Sequence, residues 1–309
     1  MINAVTSIIV IFLIFSVGFF LTYRNIWPQS TSSVLSVIVV KIAAPSLALI
    51  SISDYFTPEL LRQSAHYLLI VALYILMLYC TGKIFSKAFR LSVGKKQVFE
   101  VSFMLANAIF IGLPVNQLVF GQVALPYVCA FYLVNLAIFW SLGAHELSKV
   151  SPKKTAKYSI KGIINPGFIG VIAGCVLAAT QFSIPGTLDA ALRYLGALCV
   201  PLALLVIGAN LVFFAKGFPK IHLDEWAILG AKFIISPLYM FILLSVFGVE
   251  GLAFRVFMLT ATMPCHMQTS ILAEFYEVES AYASKLVSIS TLASLITIPF
   301  FASVILYIS

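Results

Sequence analysis

Apolar runs of about twenty residues alternate with short polar stretches along the whole chain. A bilayer core about 30 Å thick takes roughly twenty apolar residues per helix. The pattern therefore predicts ten membrane-spanning helices, near 4–23, 33–52, 64–82, 100–120, 124–143, 163–181, 193–214, 226–248, 253–275 and 284–308. The stretches between them are too short for a separate soluble domain. No basic flank precedes the first run, which reads as a retained helix rather than a cleaved signal peptide.

Composition agrees with the pattern. Of 309 residues, 61% are hydrophobic and 10% charged, and the mean hydropathy is +1.07. So few charges cannot cover a water-facing surface, which excludes an ordinary soluble enzyme, a disordered chain and a nucleic-acid binder. The net charge of +8 follows the positive-inside pattern instead. Fourteen Lys and Arg fall in odd-numbered connections and three (Arg62, Arg193, Arg255) in even-numbered ones. That bias puts the odd connections in the cytoplasm and both termini outside, in a multi-pass protein of the cell membrane. The five cysteines lie in apolar segments without a CxxC pair, so no zinc site or disulfide framework is indicated. Phosphate-loop, nucleophile-elbow and HExxH motifs are absent, so neither an ATPase nor a hydrolase is supported.

The two halves resemble each other. Ala44-Pro45-Ser46-Leu47-Ala48-Leu49 in the second span matches Val200-Pro201-Leu202-Ala203-Leu204-Leu205 in the seventh, with prolines 156 positions apart. Gly112-Leu113-Pro114 in the fourth span matches Thr262-Met263-Pro264 in the ninth, with prolines 150 apart. Five spans per half is an odd number, so the halves must be inverted, which points to a secondary transporter. The expected organisation is a first repeat at 1–143, a basic cytoplasmic linker at 144–162 and a second, inverted repeat at 163–309. Proline removes an N–H and clashes with the carbonyl four residues back. In lipid such an interruption survives only against protein or a cavity. The fourth and ninth spans are thus expected to break at Pro114 and Pro264, with Gly112 in the hinge. The flanking Asn107, Asn116, Thr262, His266 and Gln268 become candidate substrate contacts, and Tyr132 and Asn135 on the fifth span candidate cavity residues.

Two cations lie inside spans. Lys41 sits about 12 Å into the second, among Val39, Val40, Ile42 and Ala43. A lysine there costs about 2.5–3.5 kcal/mol on insertion scales, so it is expected to face a cavity or a partner and supply charge to the substrate, the alternative being a side chain that snorkels to the interface. Lys232 is nearer a span edge and reads as a side chain snorkelling to the interface. His266, two residues after Pro264, either meets substrate or a proton, or packs. No Asp or Glu falls at mid-membrane, and a nearby ammonium would repel sodium. Sodium coupling is therefore disfavoured, whereas proton coupling through Lys41 or His266, or uniport, stays open. No cofactor or metal is expected. A positive cavity favours a small organic anion, best a carboxylate.

These residues resemble the auxin efflux carrier family of membrane transporters, whose fold is shared with bile acid–sodium symporters. The resemblance rests on Asn107 with Gly112-Leu113-Pro114, on Asn165-Pro166 with Gly170 and Gly174, and on Pro201 to Leu204 with Gly208. Ala261 to Pro264 with Ala273 and Tyr276 complete it. It implies a permease of malonate-, malate- or auxin-like acids. The fold implied is all-α, with ten transmembrane helices in two inverted repeats. Helices 1, 2, 6 and 7 would form a scaffold, and helices 3–5 and 8–10 a transport domain with helices 4 and 9 broken and crossing. Movement would be elevator-like, and a homodimer would form through the scaffold. Some plant members carry a lysine at the place of Lys41. The rival reading is a membrane-embedded sensor or regulatory subunit on a transporter fold; a channel or an enzyme has less support.

Overall fold

The computed structural model describes residues 2–28, 30–55, 58–152, 164–215 and 220–307. Their regular structure is helical: α1 (Ile2–Tyr23), α2 (Thr31–Ile38), α3 (Ala44–Tyr55), α4 (Pro58–Ala88), α5 (Lys95–Met104), α6 (Leu113–Phe120), α7 (Leu125–Ile138) and α8 (Ala144–Lys149) in the first half. The second half holds α9 (Pro166–Thr180), α10 (Gly186–Ala197), α11 (Cys199–Ala215), α12 (Leu223–Gly230), α13 (Ser236–Val246), α14 (Gly251–Ala261), α15 (Gln268–Phe275) and α16 (Ser280–Tyr307). Among the described residues six helical runs are long and apolar enough to cross a membrane: Thr31–Tyr55, Ala65–Ala88, Gln122–Lys149, Gly186–Ala209, Leu223–Val246 and Ser280–Tyr307. The first, fourth, sixth and ninth expected spans overlap shorter apolar helices at Leu13–Tyr23, Ala108–Phe120, Pro166–Thr180 and Gly251–Ala261. Large apolar side chains such as Leu13, Phe20, Ile84, Ile296 and Phe300 are exposed, as lipid-facing positions require. Of the expected basic linker, residues 153–162 lie outside the described residues, as does Lys216.

Four of the runs contain a wide π-turn, at Val39–Ala43, Ala108–Gly112, Phe139–Gly143 and Ala231–Ile235. Three of these are followed, two residues on, by a proline: Pro45, Pro114 and Pro237. A proline cannot serve the carbonyl four residues back. A π-turn bonds i to i+5 instead, and such insertions are a recognised way for a helix to accommodate the defect. The amide of Ala44 accordingly donates to Val39 O, and that of Ser236 to Ala231 O. Pro114 therefore lies within a continuing helical run, and the expected break there is not observed. The interruption lies earlier, at Leu105–Asn107, where no proline stands. In the second half the non-helical stretch runs from Thr262 to Met267 and does contain Pro264.

The chain divides into two compact units that interleave its halves. Unit 1 comprises Met1–Tyr67, Ile109–Leu133 and Ile164–Pro219; unit 2 comprises Leu68–Ala108, Val134–Ile163 and Lys220–Ser309.

Unit 1 is held by helices that approach backbone to backbone. A Cβ on Gly18 would lie 2.2 Å from Leu205 O, and one on Gly208 only 1.8 Å from Phe15 O, so α1 and α11 touch at glycine. In the same way α9 lies on α3: a Cβ on Gly170 would stand 2.4 Å from Pro45 O, and one on Gly174 2.9 Å from Leu49 O. Small residues that let backbones close together are the usual basis of helix association in lipid, where apolar burial offers no drive. An exposed bidentate pair from Arg193 to Asp54 (2.8 and 3.2 Å) ties α10 to α3.

Unit 2 keeps its carboxylates paired. Glu100 accepts from Ser86 Oγ at 2.6 Å, and Glu146 from Tyr79 Oη at 2.8 Å and Lys149 Nζ at 3.3 Å. Asp224 accepts from Tyr282 Oη at 2.6 Å, and Glu225 faces Lys285 Nζ at 2.7 Å. Each buried acid therefore has a named donor, as burial of charge demands.

Candidate functional site

The two interrupted segments meet in unit 2. After α5 ends at Met104 the backbone turns extended at Leu105. Ala106 then forms an isolated antiparallel bridge with Cys265, and the Asn107 amide donates to Pro264 O at 2.9 Å. Interrupting a helix at membrane depth frees backbone groups, each costly unless satisfied. Here side chains of neighbouring helices supply the partners. Asn135 on α7 accepts from Ala106 N at 3.3 Å and donates to Ala106 O at 3.1 Å. Ser290 on α16 accepts from Cys265 N at 3.1 Å. Ser236 on α13, itself bonded to the Tyr74 hydroxyl, donates to Ala261 O at the end of α14. Asn135→Leu keeps the volume but strips the Ala106 N–H of its side-chain acceptor. It is expected to cost about 2 kcal/mol, read as a lowered melting temperature in detergent. An unchanged melting temperature would show that these bonds carry no stability.

The remaining carbonyls are met by a charge. Lys232 lies in the π-turn at Ala231–Ile235 and is fully buried. Its Nζ donates to Phe103 O at 2.9 Å and to Leu105 O at 2.6 Å, at the end of α5. Snorkelling, expected from sequence, is not what occurs. The broken end of α5 holds a partial negative charge on its unsatisfied carbonyls, and the ammonium turns inward to meet it. Among the described residues Lys232 has no carboxylate partner; the buried acids of unit 2 are engaged elsewhere.

His266 directly follows Cys265 of the antiparallel bridge. It is buried, and its ring stands edge-on to Phe139, centroids 4.8 Å apart. Phe139 also meets Trp140, centroids 5.2 Å apart. His266 Nδ1, Thr269 Oγ1 and Trp140 Nε1 are buried without a hydrogen-bond partner among the described residues. Unsatisfied buried polar groups are rare, so three around one aromatic residue and the start of α15 call for a missing partner.

The other candidates divide between the units. Asn107, Asn135, Thr262, Pro264, His266 and Gln268 belong to unit 2, whereas Lys41, Gly112, Pro114, Asn116 and Tyr132 belong to unit 1. Thr262 spends its hydroxyl proton on Leu259 O at 2.7 Å, closing the last turn of α14. Gln268 opens α15 and is half-buried. Asn116 Nδ2 donates to Gly112 O at 2.7 Å, serving the turn around Pro114. Tyr132 Oη reaches Asn165 Oδ1 at 3.4 Å, the same oxygen that caps α9 by accepting from Phe168 N at 3.0 Å. Lys41 is exposed on its π-turn. Sequence reasoning missed Lys232, Ser236 and Ser290 as junction residues. A signal for the first existed: like Lys41, it stands just ahead of a proline inside an apolar run. A separate apolar cavity of about 560 Å³, lined by residues of α13, α14 and α16 such as Phe241, Phe254 and Phe301, involves none of the candidates.

Two archaeal proteins are similar over almost the full length. An uncharacterized transporter of Methanothermobacter thermautotrophicus is 26% identical over 308 residues, covering 98% of each chain. An uncharacterized transporter of Methanocaldococcus jannaschii is 25% identical over 308 residues, covering 97% of this chain and 98% of its own. The model of the family described as membrane transport protein matches residues 3–302. Nearly the whole chain, interrupted helices included, thus carries the family pattern, and the protein belongs to this auxin efflux carrier-type family of membrane transporters.

Proposed function

We propose that the protein moves a small organic anion, a carboxylate of the malonate, malate or auxin type, across the cell membrane. The observation that carries this reading is the fully buried Lys232 ammonium, which has no acidic partner among the described residues, in the same unit as His266 Nδ1 and Thr269 Oγ1, which have no hydrogen-bond partner among them. An ionisable group within a membrane span marks a substrate path by default. A carboxylate would supply the missing negative charge and accept from the hydroxyl and the imidazole N–H. Lys41, exposed on unit 1, is a separate candidate charge in this reading. The orienting amides in this reading are Asn107 and Gln268, both in unit 2.

The architecture we infer is ten spans in two inverted five-helix repeats, with both termini outside and elevator-like alternating access. Packing in unit 1 supports it. Gly18 meets Leu205, and Gly174 meets Leu49. Adding 156 positions to Gly18 gives Gly174, and subtracting 156 from Leu205 gives Leu49, the same offset as between Pro45 and Pro201. A two-fold relation between the halves generates such reciprocal contacts, and a homodimer through these helices would extend it.

Uptake into proteoliposomes tests the reading, with radiolabelled malonate, malate, lactate and indole-3-acetate, each under a proton gradient, a sodium gradient or neither. Saturable flux of at least one acid is expected. Folded protein that moves none of them overturns the anion reading, and binding without flux favours the sensor.

A further inference from the structure

The carbonyls at the end of α5 are arranged as a seat for a small monovalent cation, and we propose that the Lys232 ammonium is a tethered cation occupying that seat permanently. Backbone carbonyls that converge on one point replace the hydration shell of an alkali ion, and unwound backbone within a broken membrane helix is where transporters commonly hold such an ion. Phe103 O and Leu105 O converge in this way, two residues apart across the helix end. The atom between them is Lys232 Nζ, at 2.9 and 2.6 Å. An ammonium is a compact point charge with three donors, and it stabilises the same partial negative charge that a free ion would.

The side chain is fully buried, and among the described residues no carboxylate neutralises it. A surplus positive charge at this position is what a bound ion would also provide. Lys232 thus makes the junction of α5 and α14 independent of a dissolved cation. The protein needs no sodium to hold its interrupted helices together, because it brings the charge on its own chain. This stands whether or not the transported solute is an anion.

The seat can be vacated. Lys232→Ala removes the equivalent of propylammonium and leaves both carbonyls facing the space it filled. A small cation binding there stabilises the fold by mass action, whereas choline, too bulky for the seat, does not. The experiment is thermal unfolding of purified wild type, Lys232→Ala and Lys232→Gln in detergent. Each is extracted and measured in choline chloride, sodium chloride or ethylammonium chloride at equal ionic strength. Wild type is expected to melt at one temperature in all three salts. Lys232→Ala is expected to melt about 5–10 °C lower in choline and to recover, saturably, in ethylammonium or sodium. Lys232→Gln keeps amide donors but no charge. It is expected to melt below wild type in choline and to gain in sodium. Should Lys232→Ala fold in no salt, Lys232→Gln decides: a wild-type melting temperature in choline would overturn the proposal, since hydrogen bonding alone would then suffice. Equal responses of all three proteins to sodium would overturn it too, as would a folded Lys232→Ala indifferent to every cation.

Discussion

Uptake by Lys232→Gln is expected to fall by about 30-fold or more in proteoliposomes, under the same gradients that drive the wild type. The magnitude follows from the charge. Removing one partner of a buried, hydrogen-bonded charge pair costs about 2–5 kcal/mol, and about 1.4 kcal/mol is a factor of ten. Lys232 is fully buried, so no solvent screens what an anion would feel from it. Lys41→Gln provides the comparison. That side chain is exposed, its field is screened, and its loss is expected to raise the KM for uptake while leaving the maximal rate within about threefold. Equal loss in both variants would place the decisive charge on unit 1 as well. Undiminished uptake in Lys232→Gln would remove Lys232 from the transport path.

Gly208→Ala is expected to destabilise the fold by about 3 kcal/mol or more, the largest stability effect of any single methyl added to unit 1. Its Cβ would lie 1.8 Å from Phe15 O, 2.7 Å from Phe15 C and 2.8 Å from Phe19 N. All three are backbone atoms, which no rotamer change can move aside. The α1 and α11 axes would have to separate, loosening the neighbouring Gly18–Leu205 contact as well. Gly230→Ala is the matched control. That glycine ends α12, and a Cβ added there would meet nothing within 4 Å, so the change should be neutral or stabilise slightly through helix propensity. Thermal unfolding of both variants in detergent reads the difference. Equal melting temperatures would mean that α1 and α11 are not held at the observed distance.

The helical runs were legible because a lipid-facing helix must be apolar along about twenty residues, and that needs no tertiary information. Pro264 was legible as part of an interruption for the same reason. Leu105-Ala106-Asn107 was not, since nothing in those three residues forbids a helix. The chain opens there because Lys232, Asn135 and the strand-like pairing with Cys265 satisfy it from elsewhere. Pro114 misled for the converse reason, because a π-turn absorbs its defect locally. Lys41 and Lys232 share apolar neighbours and a following proline, so only packing separates the exposed cation from the buried one. The internal likeness of the halves was visible at Pro45 and Pro201. The bridge joins Ala106 to Cys265, so the stretch in the first half that meets Pro264 lies around Leu105–Asn107.

Each π-turn holds one residue more than an α-helical turn, so everything beyond it is rotated by about 100° relative to an uninterrupted helix. On the eighth span that phase shift lies between Lys232, which addresses the end of α5, and Ser236, which addresses the end of α14. One residue deleted between them would restore a regular α-helical ladder and keep every side chain that matters. Ammonium and hydroxyl would then stand three positions apart and still share one face of the rod, because the wide turn already absorbs the extra residue. Chain length at this point is therefore buffered by the wide turn, whereas residue identity is not: the segment can absorb the loss of one residue between the two more readily than the loss of the Lys232 ammonium or the Ser236 hydroxyl.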